Sequence, residues 1–342
     1  MDRLPEELIA YIFDHLEAAH ALSPAMLVNR RWYMYGARNL HAALVFTFGF
    51  DMTVDSSHVV ISFMRRLVSP TLATAQLVRH LAVFGIANRE VQGLLRDVLR
   101  QATTLRSLDV HALQVLDDET LLRSDLVSMP DLLPNLSALN IASTPSLHAL
   151  LNTRRMRALR VHEPMGHEPL TRIVDRSGAF ATCICSLELA IIIDRPMAAV
   201  EEMEYLSSAL AHAPLRALAL QFVLDRPGLM SWSDYEELIA QMGPVLQTLP
   251  SLGILSLVIR PDPMMPLLDS NGSGSGESQR ELRTRTLAER LIADNGLSQL
   301  TRIELRWHGW EIRSGQLEAV PRPSLLRLPQ SWIYEQCRGE LG

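Results

Sequence analysis

Pro134-Asn135-Leu136-Ser137-Ala138-Leu139-Asn140-Ile141 sets three aliphatic residues at intervals of three and then two, just behind a proline. A proline suits the point at which a helix ends and an extended segment begins. In an extended segment alternate side chains share a face, so Leu139 and Ile141 point into one core and Leu136 closes the turn ahead of them. The same frame stands at Val78/Leu81/Val83, Leu105/Leu108/Val110, Met156/Leu159/Val161, Ile184/Leu187/Leu189, Leu215/Leu218/Leu220, Leu252/Leu255/Leu257 and Leu300/Ile303/Leu305. Leu, Ile, Val and Met are so common in this chain that triplets alone would recur by chance, and the weight falls on their context. Pro214-Leu215 and Pro250-Ser251-Leu252 repeat the proline. Helical periodicity lies between frames: Asn88 to Gln101 carries Val91, Leu94, Leu95, Val98 and Leu99 on one face, and Val200 to Ala211 and Tyr235 to Leu249 do likewise. Ahead of the first frame, Leu44, Phe46 and Phe48 alternate as a strand would.

Alternating strands and helices define an α/β chain, built either as a doubly wound sheet or as a solenoid. The frame resembles that of leucine-rich repeats. The resemblance implies a solenoid with parallel strands on its concave face and helices on its convex face. Leu81, Leu108, Leu139, Leu159, Leu187, Leu218, Leu255 and Ile303 are separated by 27, 31, 20, 28, 31, 37 and 48 residues. The early spacings suit repeats of that family, but the family's Asn or Cys after the last frame position is largely missing. The array reads as divergent, with insertions in the two widest gaps. One insertion, at about 261–280, contains Asp269 to Ser278, which has no apolar residue and reads as a flexible loop. Glu281 to Asn295 resumes as an arginine-rich helix with Gly296 as its C-cap, and Trp307, Trp310 and Trp332 fall in a segment expected to cap the array.

Leu4 to Phe46 reads as three short helices. Pro5 fits a first helical turn, and Glu6 and Glu7 complement the positive end of the helix dipole. Leu8, Ile12 and Leu16 recur every fourth residue as an apolar stripe. Ser23-Pro24 starts a second helix carrying Met26, Leu27 and Val28, and a third begins near Asn29 and carries Trp32 and Tyr35. So small a bundle must be covered by a partner or by the rest of the chain. Its opening, Leu4-Pro5-x-Glu7-Leu8-x-x-x-Ile12-Phe13-x-x-Leu16, and its close, Leu27-Val28-Asn29-Arg30-Arg31-Trp32, resemble an F-box. Ala21-Leu22-Ser23 departs from the acidic residue and leucines usual there.

The F-box resemblance implies docking on the Skp-type adaptor of a cullin-RING ubiquitin ligase, with Leu4, Pro5, Leu8, Ile12, Leu16, Met26, Val28 and Trp32 forming or supporting that face. The domains expected are an F-box over 1–46 and a divergent leucine-rich-repeat domain over 47–342. The repeat resemblance puts the residues beside the strand leucines on the concave side, with His111, Arg160, His162, Glu188, Gln221, Glu304 and Arg306 as the substrate-binding set. Asn140, Asp109, His80 and Phe84 share such positions. The function implied is substrate recognition in an SCF-type ligase, with the cullin core and an unidentified protein substrate as partners. The alternative is a ligase-independent interaction scaffold.

Composition narrows the rest. A net charge of -6 and a sequence pI near 6.0 argue against nucleic acid as the main ligand. No apolar run reaches the roughly eighteen residues that a membrane helix needs, and a cytoplasmic or nuclear setting is expected. Cys183, Cys185 and Cys337 lack the partners of a metal site or a disulfide framework and read as small buried residues. No cofactor or metal is expected, and no enzymatic activity: Gly272 to Gly276 lacks the lysine and context of a P-loop, and the eleven histidines show no ligand spacing. All 32 positively charged side chains are arginine.

Overall fold

The computed structural model describes residues 5, 8–9, 11–12, 28, 32–33, 36–37, 41–48, 54–69, 74–85, 89–111, 129, 131–143, 145–175, 178–225, 232–260, 276–306 and 308–320. The chain forms two compact units, one of Met1–Leu139 with Thr144–Ala149 and the other of Asn140–Ser143 with Leu150–Gly342.

The first unit contains β1 (Ala43–Phe48), α1 (Val54–Leu67), a single 3-10 turn (Thr74–Leu77), β2 (His80–Gly85), α2 (Arg89–Gln101) and β3 (Ser107–His111). β2 pairs parallel with β1 and with β3, and Leu44, Leu81 and Leu108 share one row of that register. Parallel neighbours need a crossover between them, which α1 and α2 supply. The sequence pattern does not single out α1 as a separate element. It buries Ile61, Met64 and Leu67 at a spacing of three. α2 buries Val91, Leu95, Val98 and Leu99, leaving Leu94 only half-buried.

β4 (Ala138–Ile141) and α3 (Pro145–Thr153) straddle the sequence division. The second unit continues with β5 (Ala158–Met165), α4 (His167–Asp175), α5 (Gly178–Cys183), β6 (Ser186–Ile193), α6 (Ala198–Ala209), β7 (Ala217–Leu224), α7 (Trp232–Leu246), β8 (Ile254–Arg260), α8 (Gly276–Asp294) and β9 (Arg302–Leu305). β5 to β9 pair in parallel, each with its neighbour in the chain. A doubly wound sheet would reverse its strand order at a switch point, and neither unit does so among its described strands.

All eight aliphatic frames fall at strands, and every member of every frame is buried. The register explains why. Leu159, Leu187, Leu218, Leu255 and Ile303 form one continuous row, and Val161, Leu189, Leu220, Leu257 and Leu305 another. A slip of one residue would turn both rows out to solvent, so the apolar pattern fixes the pairing.

A backbone link recurs ahead of β3, β4 and β6 to β9. The Arg79 carbonyl accepts N–H groups from Arg106 and Ser107, at 2.7 and 3.0 Å, and the Arg106 carbonyl accepts those of Ser137 and Ala138, both at 2.9 Å. In the second unit the carbonyls of Arg157, Cys185, Arg216 and Gly253 do the same for Cys185/Ser186, Arg216/Ala217, Gly253/Ile254 and Thr301/Arg302. Each accepting carbonyl belongs to the residue just after the first aliphatic of its frame. These residues vary from arginine to glycine because only their backbone is used.

Among the described residues the last two strands are antiparallel. β10 (His308–Arg313) returns antiparallel to β9, and β11 (Gln316–Ala319) pairs antiparallel with β10. Ser314 and Gly315, both at positive φ, make the two-residue hairpin turn between them. Trp310 sits opposite Ile303 and is fully buried, whereas Trp307 and Trp332 lie outside the described residues. Gly296, at φ 61, ends the last helix in the left-handed conformation expected of it. That helix begins five residues earlier than its sequence pattern suggests. Gly276 to Arg280 are helical, so they do not belong to the flexible insertion expected at about 261–280. An alternation of Gly and Ser hides a helix start, because the first turn bonds no N–H within the helix and tolerates such residues. α7 also begins earlier, at Trp232, and both described cysteines, Cys183 and Cys185, are half-buried rather than fully buried.

The backbone link yields a test. Arg216→Ala keeps both N–H donors and is expected to change unfolding free energy by no more than about 0.5 kcal/mol. Arg216→Pro deletes one donor and is expected to cost about 1–3 kcal/mol in urea titrations. Equal stabilities for the two variants would show that the link contributes nothing.

Candidate functional site

Two regions bear the residues that the sequence pattern singles out. In the first, Pro5 begins a helical turn, and its carbonyl accepts the Ile9 N–H at 3.2 Å. Ile9 is buried, while Leu8 is 49% exposed. The apolar stripe read as Leu8, Ile12 and Leu16 therefore does not simply face the core. A period of four allows Leu8 or Ile9 to lie inward, and the packing chooses Ile9. Ile12 and Trp32 are half-buried, Val28 is 54% exposed, and Leu4, Leu16 and Met26 lie outside the described residues. Tyr11 and Tyr33, which the motif does not include, are exposed as well. Among the described residues between 8 and 33, four large apolar side chains thus meet solvent, the kind of surface that marks a protein interface.

This segment is tied to the first strands. The His41 N–H donates to the Ala37 carbonyl at 3.0 Å, and the Ala42 carbonyl accepts the N–H groups of Arg79 and His80, both at 2.8 Å. It is the same double link that recurs between the frames. The His41 ring lies 6.0 Å from that of Phe63, whose ring meets Phe46 edge-on. Burial holds the His41 pKa below its ordinary value and so favours the neutral imidazole in this apolar setting.

The second region is the strand face opposite the buried leucine rows. Arg160, Glu188, Ala219, Ser256 and Glu304 lie side by side on β5 to β9. Arg160 Nε is 2.8 Å from Glu188 Oε1, both side chains being largely shielded. The contact is a charge pair more than an aligned hydrogen bond, since Nε has no well-directed acceptor. At the other end Ser256 Oγ donates to Glu304 Oε2 at 3.2 Å. Ala219 separates the two pairs. His162 Nδ1 and Asn140 Oδ1 are 3.3 Å apart, and Gln221 is half-buried in the adjacent row between Ala190 and Val258.

The other two residues of the expected set lie apart. His111 ends β3 in the first unit. Arg306 leaves the strand row at φ 59, and its guanidinium lies 4.9 Å from the ring centre of Trp232 and 5.0 Å from that of Tyr235. Burial pushes the Tyr235 hydroxyl well above the ordinary phenol pKa, against the opposing pull of the Arg306 charge and main chain. Sequence reasoning missed this aromatic clamp, because nothing local signals that Arg306 would turn towards α7. It also missed Ser256, although its place between two frame leucines marks it as facing outward.

The row thus holds one pair of opposite charges, Arg160 with Glu188, and one hydroxyl–carboxylate hydrogen bond, Ser256 with Glu304. Among the described residues no group of three or more His, Cys, Asp or Glu could hold a metal ion, and no helix is long and apolar enough to cross a membrane.

Residues 1–44 match the F-box-like family model. The N-terminal segment is an F-box-like domain. It covers about an eighth of the chain, and no curated protein matches the sequence significantly. F-box domains typically bind Skp-type adaptors, which gives the exposed Leu8, Tyr11, Val28 and Tyr33 a natural use.

Glu304 provides a pH test of the strand row. Burial raises its carboxyl pKa, while the Ser256 hydrogen bond and the Arg302 charge lower it by less. The folded chain therefore holds this proton more tightly than the unfolded chain. The group's contribution to stability falls as pH rises from the unfolded to the raised folded value, and the loss is complete above that window. Glu304→Gln keeps an acceptor for Ser256 and removes the charge. Relative to the parent, it is expected to be at least as stable at about pH 7 and to lose that advantage at about pH 4. A variant that is destabilised only at neutral pH would show that the carboxylate is held by partners stronger than its desolvation.

Proposed function

We propose that this chain is the substrate-recognition subunit of an SCF-type ubiquitin ligase. The F-box-like match over residues 1–44 carries the reading. In it, the N-terminal domain docks on the Skp-type adaptor and through it on the cullin core, and the strand face of the second unit takes a protein substrate. The remainder of the chain is a divergent leucine-rich-repeat domain. Supporting that part are the eight buried frames, the sequential parallel pairing of β1 to β3 and of β5 to β9, and the backbone link that recurs ahead of most of these strands. Stacked repeats leave the positions beside the strand leucines free to vary, which is where Arg160, His162, Glu188, Gln221 and Glu304 stand. The chain performs no chemistry of its own in this scheme. It selects what the ligase modifies, in the cytoplasm or the nucleus.

Co-expression with the adaptor tests the reading. The parent chain is expected to co-purify with it. Leu8→Asp combined with Val28→Asp alters two exposed positions and leaves the buried core intact. A charge in the centre of a small apolar interface typically costs about 2 kcal/mol or more, a roughly thirtyfold loss of affinity. The variant is expected to keep the parent's circular dichroism spectrum and to lose the adaptor. Undiminished binding would remove the F-box-like surface from the mechanism, and a parent chain that never binds the adaptor would favour a ligase-independent scaffold.

A further inference from the structure

We propose that this chain offers ubiquitin no side-chain amine as acceptor and is therefore spared by the ligase it serves. The inference rests on the proposed function and extends it to regulation. Transfer breaks the thioester between the C-terminal carbonyl carbon of ubiquitin and the cysteine sulfur of the conjugating enzyme. A neutral amine forms the new amide bond, gives up a proton, and the thiolate leaves. No oxidant, reductant or further reactant is needed. A subunit held in the same complex as that enzyme presents its own groups at high effective concentration, so an exposed amine on it competes with the substrate.

The chemistry of the charged side chains closes that route. All 32 positive side chains are arginine and none is lysine. A guanidinium stays protonated in proteins. Lysine's ordinary pKa is about 10.4 and arginine's lies well above it, so the neutral fraction of an arginine at physiological pH is smaller by about a hundredfold or more. The structure shows that the missing amines are not simply positions lost from the surface. Arg66 on α1 and Arg283 and Arg290 on α8 are exposed, where a lysine would be equally well solvated. Other exposed arginines make surface ion pairs that a lysine could also make, such as Arg195 with Glu201 at 2.6 Å and Arg285 with Glu289 at 3.1 Å. Charge and solubility are preserved without a single side-chain nucleophile of the amine type. Whatever set this composition, the chemical consequence is the same.

The test uses the full chain assembled with the adaptor, the cullin-RING core, activating and conjugating enzymes, ubiquitin and ATP. Peptide mass spectrometry then maps ubiquitin remnants on the chain. Arg66→Lys and Arg290→Lys, separately and together, keep the charge and the helix propensity and add only the amine. The parent is expected to carry no remnant at any internal residue, and at least one lysine variant is expected to become conjugated at the new side chain. Remnants on internal serine, threonine or cysteine residues of the parent would overturn the proposal. So would lysine variants that assemble normally and stay unmodified, because the absent amine would then not be what protects the chain. Failure of the parent to assemble with the adaptor is a different result. It removes the ligase reading itself, and this inference with it.

Discussion

In six of the eight frames one carbonyl accepts two successive N–H groups from the next frame, and the leucine rows depend on that contact. It brings β3, β4 and β6 to β9 each up to its predecessor at a fixed height. The leucine rows can then meet, Leu187 beside Leu218 and Leu218 beside Leu255, without any side chain specifying the distance. Hydrogen bonding by itself adds only about 1 kcal/mol for each bond. The larger part of the stability comes from the leucines, whose complete burial the link makes possible. The same device joins the F-box-like segment to the start of β2, through the Ala42 carbonyl.

Because the backbone holds the frames together, the side chains between the leucines are free of structural duty on the outer face of the strands. They have been used for charge. Arg160 lies against Glu188 and Ser256 bonds Glu304 across neighbouring strands, with Ala219 leaving a low point between the pairs. The opposite charge beside each of Arg160 and Glu188 limits the cost of placing them on a partly shielded surface. Arg306 illustrates the opposite fate: a residue at the end of the same strand, turned aside to stack on two aromatic rings.

The N-terminal segment obeys a different constraint. A domain of about forty residues cannot bury all its apolar side chains. Here Ile9 goes inward, and Leu8, Tyr11, Val28 and Tyr33 are left outside.

Local features of the sequence were enough for the α/β class, the position of every frame strand, the strand at Leu44 to Phe48, the left-handed turn at Gly296 and the F-box-like motif. These come from local rules: periodicity, the special conformations of proline and glycine, and a short motif of apolar residues. The sequence also placed Arg160, His162, Glu188 and Glu304 beside the strand leucines, since alternation along a strand is itself local. Packing of the folded chain set Glu188 against Arg160, brought Ser256 to Glu304 and folded Arg306 back on Tyr235. It alone chose Ile9 over Leu8 as the buried residue, and turned β10 and β11 antiparallel. Each of these depends on which residues come to lie opposite one another once the chain has packed, and no local pattern encodes that.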